Sequence, residues 1–448
     1  MIATKLAFSS LRRRTTGFIA SFVALFFGAT ILMTFASLLD TRTAAGPETA
    51  KTLLIMASVV GGWSLVIVLF ATLSTLSLLI RQRAPELALL KSVGATPSQI
   101  GRMIVGEAAA VAVLAAATAV VPSVFAGRWL VALLGDTGRV PAGLEARFGP
   151  IAVSMGTGIT LLAALVAGTV AARQVTRRGA VEAIREAGVD TRPTSRLRVV
   201  GATIVLAAGL GFGVVTMTVF TGTEPALMAV GGQGAILAAI GLALLAPTLL
   251  GPIAAVLAAP LRRAGVSGHL TAAHLRVRSR QMAGVLVPII LFTGIATGTL
   301  YMQAIENAAV TAPVEIASSI ETLNYVVVGM IALFAAVMLV NTVVAAIAGR
   351  RREFGQQRLI GSTPSQVLRL VGTEGIVLAA VGVLFGSLAA AVTVIPYSVA
   401  RTGGPVPDAT IGAYLVIVAV AVTLTLGSHL GAAATAMRAP AIRAVARG

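Results

Sequence analysis

The sequence predicts an all-α polytopic membrane protein with about ten transmembrane helices. Hydrophobic residues make up 57% of the 448 residues and charged residues only 11%. Soluble domains carry about 25% charged residues, so this composition excludes an ordinary soluble globular protein. A spanning helix needs about 20 mainly apolar residues, and runs of that length recur along the whole chain.

The apolar runs predict ten spans in a four, two, four arrangement. They cover residues 16–39, 53–80, 104–126, 150–172, 199–220, 226–250, 282–301, 323–348, 376–397 and 410–428. We therefore expect a first four-span module at 1–187, a linker with two connecting spans at 188–265, and a second four-span module at 266–448. The first run is long enough to span and is followed by no small-residue cleavage site, so no cleavable signal peptide is expected.

The net charge of +18 is distributed as a membrane protein distributes it. Arginines cluster beside the apolar runs, and with ten spans these clusters fall on one side, which predicts that both termini are cytoplasmic. Such basic flanks suit an anionic cytoplasmic leaflet, and nucleic acid is not expected as a partner. The arginines of 127–149 are the exception to this distribution.

Composition also limits the chemistry that the chain can carry. It has no cysteine, which excludes disulfides and thiolate metal sites, and its three histidines form no ligand pattern, so no metal site is predicted. None of the three lysines follows a glycine, so a P-loop is absent. We expect a protein that is not an enzyme and binds no cofactor. Arginine and alanine abundance favours a bacterial source with a GC-rich genome, such as an actinobacterium.

A fifteen-residue pattern occurs twice, at 86–100 and 353–367. Matched positions differ by 267 throughout, and the same offset pairs Glu107 with Glu374. A repeat of this length between apolar spans indicates two copies of one membrane module.

Each copy predicts a helix, a sharp turn and a second helix, which we call an elbow. Gly94 can take the left-handed conformation that ends a helix. The segment 96–99, Thr-Pro-Ser-Gln, provides an N-cap, a proline at the first helical position and a capping box. Gly361 and the segment 363–366 repeat these features. Three apolar residues at every third position favour an amphipathic first helix continuous with the second span: Leu87, Leu90 and Val93.

A rigid elbow on the cytoplasmic face of a transporter could receive force from a motor subunit. The plain alternative is an ordinary tight turn between two spans, and the two matched copies favour the first interpretation.

The repeated motif resembles the FtsX-like permease domain of MacB-type, or type VII, ABC transporters. The motif runs Arg-x-x-Glu, then a Lys or Arg, then Gly-(Ala/Ser)-Thr-Pro, with a Glu in the next span. The Leu-Arg-x-Arg segments at 11–14 and 275–278 are also similar to that family. The four, two, four layout is similar to bacitracin-efflux-type permeases. Those carry a large extracellular domain between spans seven and eight, where this chain has only the short acidic segment 302–322.

The resemblance implies that the elbows are coupling helices that dock on a separate ABC-type ATPase, in two copies, which binds the ATP. It assigns contact with that ATPase to two matched sets of residues: Arg83, Glu86, Lys91, Gly94, Thr96 and Pro97, and Arg352, Glu353, Arg358, Gly361, Thr363 and Pro364. Glu353 has an alternative role, because it could pair locally with Arg350 three residues earlier.

Three polar residues within the spans are candidates for gating: Glu107, Glu374 and Asn341. The two acids could meet opposing arginines during gating, since charged groups inside spans tend to be functional. Alternatively, they are interfacial caps favoured by the helix dipole. Asn341 also fits a hydrogen bond between neighbouring helices.

These expectations lead to a permease subunit of an ABC transporter in the cell membrane. It would export a hydrophobic or amphipathic compound such as an antimicrobial peptide, a drug or a lipid. A non-transporting regulator that passes ATPase motion to a cell-wall partner or a membrane sensor kinase is the alternative. An ion-driven transporter is less favoured, because no span has an ionisable residue at its middle.

Overall fold

The computed structural model describes residues 15–82, 84–136, 138, 140–176, 196–219, 225–263, 265–309, 329, 332–333, 336–347, 349–407 and 409–446. Within these residues every regular element is helical, which confirms the all-α class. The helices are α1 (Thr15–Thr41), α2 (Pro47–Gln82), α3 (Ala84–Ser92), α4 (Pro97–Asp136), α5 (Pro150–Thr176), α6 (Arg196–Thr218), α7 (Pro225–Arg263), α8 (Gly265–Val277), α9 (Ser279–Ala309), α10 (Ala336–Ile347), α11 (Arg351–Leu359), α12 (Pro364–Thr402), α13 (Ile411–Met437) and α14 (Ala441–Ala446). A 3-10 turn at Arg42–Ala44 follows α1.

Eight of the described helices are long and apolar enough to cross a membrane: α1, α4, α5, α6, α7, α9, α12 and α13. The chain is therefore a multi-pass membrane protein. The predicted span 53–80 lies within α2, and the part of 323–348 that the structure describes includes the short apolar helix α10. Several helices run well beyond the apolar runs, as α12 does around 376–397, because helical hydrogen bonding continues through the polar residues of the elbow.

The chain divides into two compact units, residues 1–185 with 299–334 and residues 186–298 with 335–448. The predicted three-part division by sequence stays a prediction. Residues 188–195, which begin its predicted linker, lie outside the described residues.

In the first unit α1 packs against α2, α4 and α5. Asp40 near the end of α1 caps the start of α5, since its carboxylate accepts hydrogen bonds from the amides of Gly149, Ile151 and Ala152 at 2.8–3.2 Å. A carboxylate at a helix N-terminus satisfies free amides and is favoured by the helix dipole. This contact fixes the loop end of the bundle, at the opposite end of α1 from Thr15.

In the second unit α6 and α7 form a close pair, and α12 packs against α6, α7, α8 and α13. Glycines permit this closeness. A Cβ on Gly241 would lie 2.8 Å from Leu206, and one on Gly382 would lie 2.5 Å from Ile289. Small residues at such crossings allow van der Waals contact between helix backbones, which is a main source of helix association in membranes.

Candidate functional site: two elbows and a buried ion-pair cluster

The first elbow has the predicted backbone. Gly94 has a φ of 98°, and its amide donates to the carbonyl of Lys91 at 3.0 Å. The amide of Ala95 donates to the carbonyl of Leu90, also at 3.0 Å. This pair of bonds is a Schellman motif, which ends α3 and satisfies its last carbonyls.

The helix that follows starts with the predicted capping box. The Thr96 amide donates to the Gln99 side chain at 2.9 Å, and the Gln99 amide donates to the Thr96 hydroxyl at 3.3 Å. Pro97 is the first residue of α4, where its missing N–H costs no hydrogen bond. The turn and the helix start are thus both specified locally.

The second elbow repeats this geometry. Gly361 has a φ of 102° and donates to Arg358 at 3.2 Å, while Ser362 donates to Gln357 at 2.9 Å. Thr363 and Gln366 form the capping box at 2.8 and 3.3 Å. The predicted elbow conformation is therefore confirmed in both copies, whereas contact of these residues with an ATPase stays a prediction.

The prediction that three apolar residues in and just after α3 form one buried stripe is only partly confirmed. Leu87 is buried against Ile100 and Ile104, but Leu90 is exposed and Val93 is 88% exposed. The stripe does not face one partner because α3 is short and ends at Gly94. Ile360, matched to Val93 at the same offset, is 84% exposed. We call Val93 and Ile360 the elbow tips.

Next to the second elbow lies a cluster of five side chains, which we call the buried ion-pair cluster after its two buried members, Arg350 and Glu374. Its other three members are half-buried: His274, Arg278 and Glu353. Arg350 is at its centre and is 7% exposed. Its Nη1 and Nη2 donate to the two carboxylate oxygens of Glu374, the second at 3.2 Å. Its Nε and Nη2 donate to Glu353 at 3.1 and 3.2 Å. Such forked pairs fix both distance and orientation.

The surroundings keep Arg350 charged. Burial by itself lowers the pKa of its guanidinium, but the carboxylates of Glu374 and Glu353 outweigh burial, so the pKa is raised. The guanidinium also lies over the ring of Phe354, 5.3 Å from its centroid. Arg350 therefore joins the start of α11 to α12 with a permanent positive charge.

His274, near the end of α8, and Arg278, just after it, complete the cluster. Arg278 pairs with Glu353, and His274 Nδ1 donates to Glu374 at 2.6 Å. The cluster thus ties α8, the second elbow and α12 together. The two arginines and the two glutamates of the cluster balance one another in charge, which lowers the cost of burying ions.

The structure shows the local pairing of Glu353 that was the alternative to contact with an ATPase. Its carboxylate pairs with Arg350 three residues earlier and also with Arg278. Burial by itself raises the pKa of Glu353, but hydrogen bonds and charge from Arg350 and Arg278 lower it on balance. Arg358 is likewise bound within the chain, since it donates at 3.0 Å to the carbonyls of Met437 and Ala439 at the end of α13.

Neither acid of the spans caps the N-terminus of its helix. Glu107 and Glu374 each lie ten residues after the proline that starts their helix, which is nearly three turns inside it. The helix dipole acts only over the first turn. Both are buried, and Glu374, which is 1% exposed, pairs with Arg350, whereas a role of either acid in gating stays a prediction.

A small cavity of about 20 Å³ adjoins Arg350, Glu374 and the buried His429. That volume is enough for about one water molecule and too small for an organic ligand. His429 Nδ1 donates to the carbonyl of Thr425 at 2.8 Å. Within the described residues, no group of three acidic or histidine side chains is placed to hold a metal ion.

Arg350 was not among the site residues predicted from the sequence, whereas its neighbour Arg352 was. Arg350 could have been predicted from the repeat, because the offset of 267 pairs it with Arg83. Arg352 lies exposed on α11. Arg278 could have been found from the Leu-Arg-x-Arg match, whereas His274 carries no signal in the sequence.

The remaining predicted residues lie outside the cluster. Arg83 is outside the described residues, and Glu86 and Lys91 are half-buried on α3. Asn341 is half-buried on α10, nine residues before Arg350, and it does not line the cavity. The structure therefore joins one gating candidate, Glu374, to the second elbow.

Comparison with known families agrees with this geometry. A family model described as FtsX-like permease C-terminal matches residues 58–180 and 325–441, which are two separate segments that each contain one elbow. A comparison with curated proteins found no match. Since one family model matches both segments, and together they make up just over half of the chain, the chain belongs to the FtsX-like permease family.

Proposed function

We propose that this chain is the permease subunit of an ABC transporter, driven by a separate ATPase that docks on the two elbows. One observation carries the proposal. Two segments 267 residues apart fold into the same Schellman turn and capping box, and each presents an apolar tip to solvent, Val93 at 88% and Ile360 at 84% exposed. An apolar side chain held that far out on a rigid turn suits a partner's pocket.

The cluster gives the second elbow a path for transmitting force. A push on Ile360 moves α11, and Arg350 and Glu353 pass that displacement to α8 and α12. Arg358 connects the same helix to the end of α13. Because ion pairs and hydrogen bonds hold both ends of α11, the elbow would move as a rigid unit and transmit the displacement without bending.

Loop lengths support a cargo that partitions into the membrane. At the end of the helices away from the elbows, 13 residues separate α4 from α5 and eight separate α12 from α13. These loops are too short to fold as a capture domain. We propose export of a hydrophobic or amphipathic compound, such as an antimicrobial peptide, a drug or a lipid, which leaves laterally from the bilayer and so gives resistance to it.

The proposed complex has two copies of the ATPase, one for each elbow, and sits in a bacterial cell membrane with both termini cytoplasmic. The arginine distribution supports that orientation. ATP is bound by the partner.

The elbow tips offer a direct test. Val93→Asp and Ile360→Asp change side chains that are almost entirely exposed, so each should fold normally. We would co-express the permease with the ABC-type ATPase proposed as its partner, then measure complex formation and ATPase stimulation in nanodiscs. The double variant should lose at least tenfold in affinity, because placing a charge in an apolar contact costs several kcal/mol.

Val406→Asp is the matched control, since Val406 is also largely exposed but lies in the loop between α12 and α13. It should leave both measurements unchanged. Normal complex formation by the double tip variant would overturn the assignment of the elbows. ATPase stimulation without any cargo movement would favour the regulator instead of the exporter.

A further inference from the structure

Helix α8 has 13 residues and is too short to cross a bilayer. It lies between two long apolar helices, α7 ending at Arg263 and α9 beginning at Ser279. Both neighbours are long and apolar enough to cross a membrane, so α8 connects two candidate spans. One face of α8 packs on α7 and α12 through four small or apolar residues: Gly268, Thr271, Ala272 and Leu275.

The face of α8 opposite to this contact is apolar and exposed. Val266, Leu270, Ala273 and Val277 follow one another at spacings of four, three and four, which aligns them in a single stripe. Val266 is 78% exposed, and Leu270 and Val277 are exposed too. The stripe therefore points away from the contacts of α8 with α7 and α12 and is exposed.

The charged residues around this stripe are all basic. Arg262, Arg263 and Arg276 are exposed, and no aspartate or glutamate occurs anywhere in 225–305. This charge distribution suits a negative surface. Guanidinium groups also match the geometry of a phosphate.

We propose that α8 is an in-plane helix that binds anionic phospholipids, with its apolar stripe in the acyl boundary and its three arginines on the headgroup phosphates. Amphipathic helices of this kind combine buried apolar area with attraction to anionic lipid. His274 in α8 and Arg278 just after it belong to the buried ion-pair cluster. The helix proposed to bind lipid is therefore also linked by ion pairs to the second elbow.

The first experiment tests the lipid chemistry. The full chain is placed in nanodiscs of phosphatidylcholine with increasing phosphatidylglycerol, and co-purified lipid is counted by native mass spectrometry. Basic residues near a membrane surface contribute about fivefold each in affinity, so Arg262→Gln, Arg263→Gln and Arg276→Gln together should lower phosphatidylglycerol retention at least tenfold. The matched control removes three other exposed arginines: Arg351, Arg369 and Arg438.

Equal losses in the two triple variants would overturn the proposal, because the effect would then be net charge and not a site. Retention of phosphatidylcholine at the same level as phosphatidylglycerol would overturn it as well.

The second experiment tests the position of the helix. Because the chain has no native cysteine, a single introduced cysteine can be labelled specifically. A nitroxide on Leu270→Cys should be more accessible to oxygen than to a polar nickel reagent, whereas one on Ile360→Cys, at an elbow tip, should show the reverse. Water-like accessibility at position 270, or burial there by a second copy of the chain, would refute an in-plane lipid-facing helix.

Discussion

Removing one partner of the buried Arg350–Glu374 pair should destabilise the protein far more than removing both. In the native cluster the charges of Arg278, Arg350, Glu353 and Glu374 cancel. Glu374→Gln leaves one positive charge uncompensated at Arg350, which is only 7% exposed. Breaking a buried pair in this way costs about 3–5 kcal/mol, whereas replacing the pair by apolar residues is often neutral.

The double variant Arg350→Met with Glu374→Leu restores the balance, since Glu353 keeps Arg278 as its partner. We therefore expect it to recover most of the loss, about 2 kcal/mol or more. The assay is equilibrium unfolding in mixed detergent micelles, with the exposed Glu145→Gln as a control that should change stability by less than about 0.5 kcal/mol.

A double variant as unstable as the sum of the two single variants would refute the charge-balance argument. So would a Glu374→Gln variant that unfolds like the wild type. In either case the cluster would act by packing alone, and the proposed force path through Arg350 would lose its physical basis.

Three further changes test other parts of the structure by the same unfolding assay. Gly361→Ala should cost about 1–2 kcal/mol, because its φ of 102° strains any residue with a Cβ, whereas Gly101→Ala, in a helical and uncrowded position, should be neutral or slightly stabilising. Asp40→Ala should cost about 2 kcal/mol by leaving the first amides of α5 without acceptors, and a loss below about 0.5 kcal/mol would contradict that cap. Folding lowers the pKa of Glu353, so its stabilisation is complete above the ordinary carboxyl pKa of about 4.3 and is lost as pH falls through the folded value. Glu353→Gln should therefore be less sensitive to acid than the wild type, and an unchanged slope of stability against pH below pH 4 would speak against the pairing.

The backbone of the elbows was predictable because it is local. Gly94 and Gly361 end helices by the left-handed conformation that lacks a Cβ penalty, and the Thr-Pro-Ser-Gln segments restart them with side chains three residues apart. No residue far away in the sequence is needed to end the first helix of an elbow or to start the second. The duplication added the second copy at a fixed offset.

What each side chain faces was less predictable. Val93 lies on the same periodic stripe as Leu87, yet one is exposed and the other buried, because α3 ends before the stripe meets a second helix. Glu353 matched a motif and was assigned to a partner, but its carboxylate is turned inward to two arginines. Periodicity and motif matching cannot distinguish these outcomes.

By itself, the sequence determined the class, the duplication and the two elbows, since composition, apolar length and capping act over a few residues. Only the tertiary structure decided that His274, Arg278 and Glu374, separated by as many as 100 residues, share one cluster with Arg350. Burial of charge depends on which helices pack together, and that packing depends on glycine contacts spread over the whole unit.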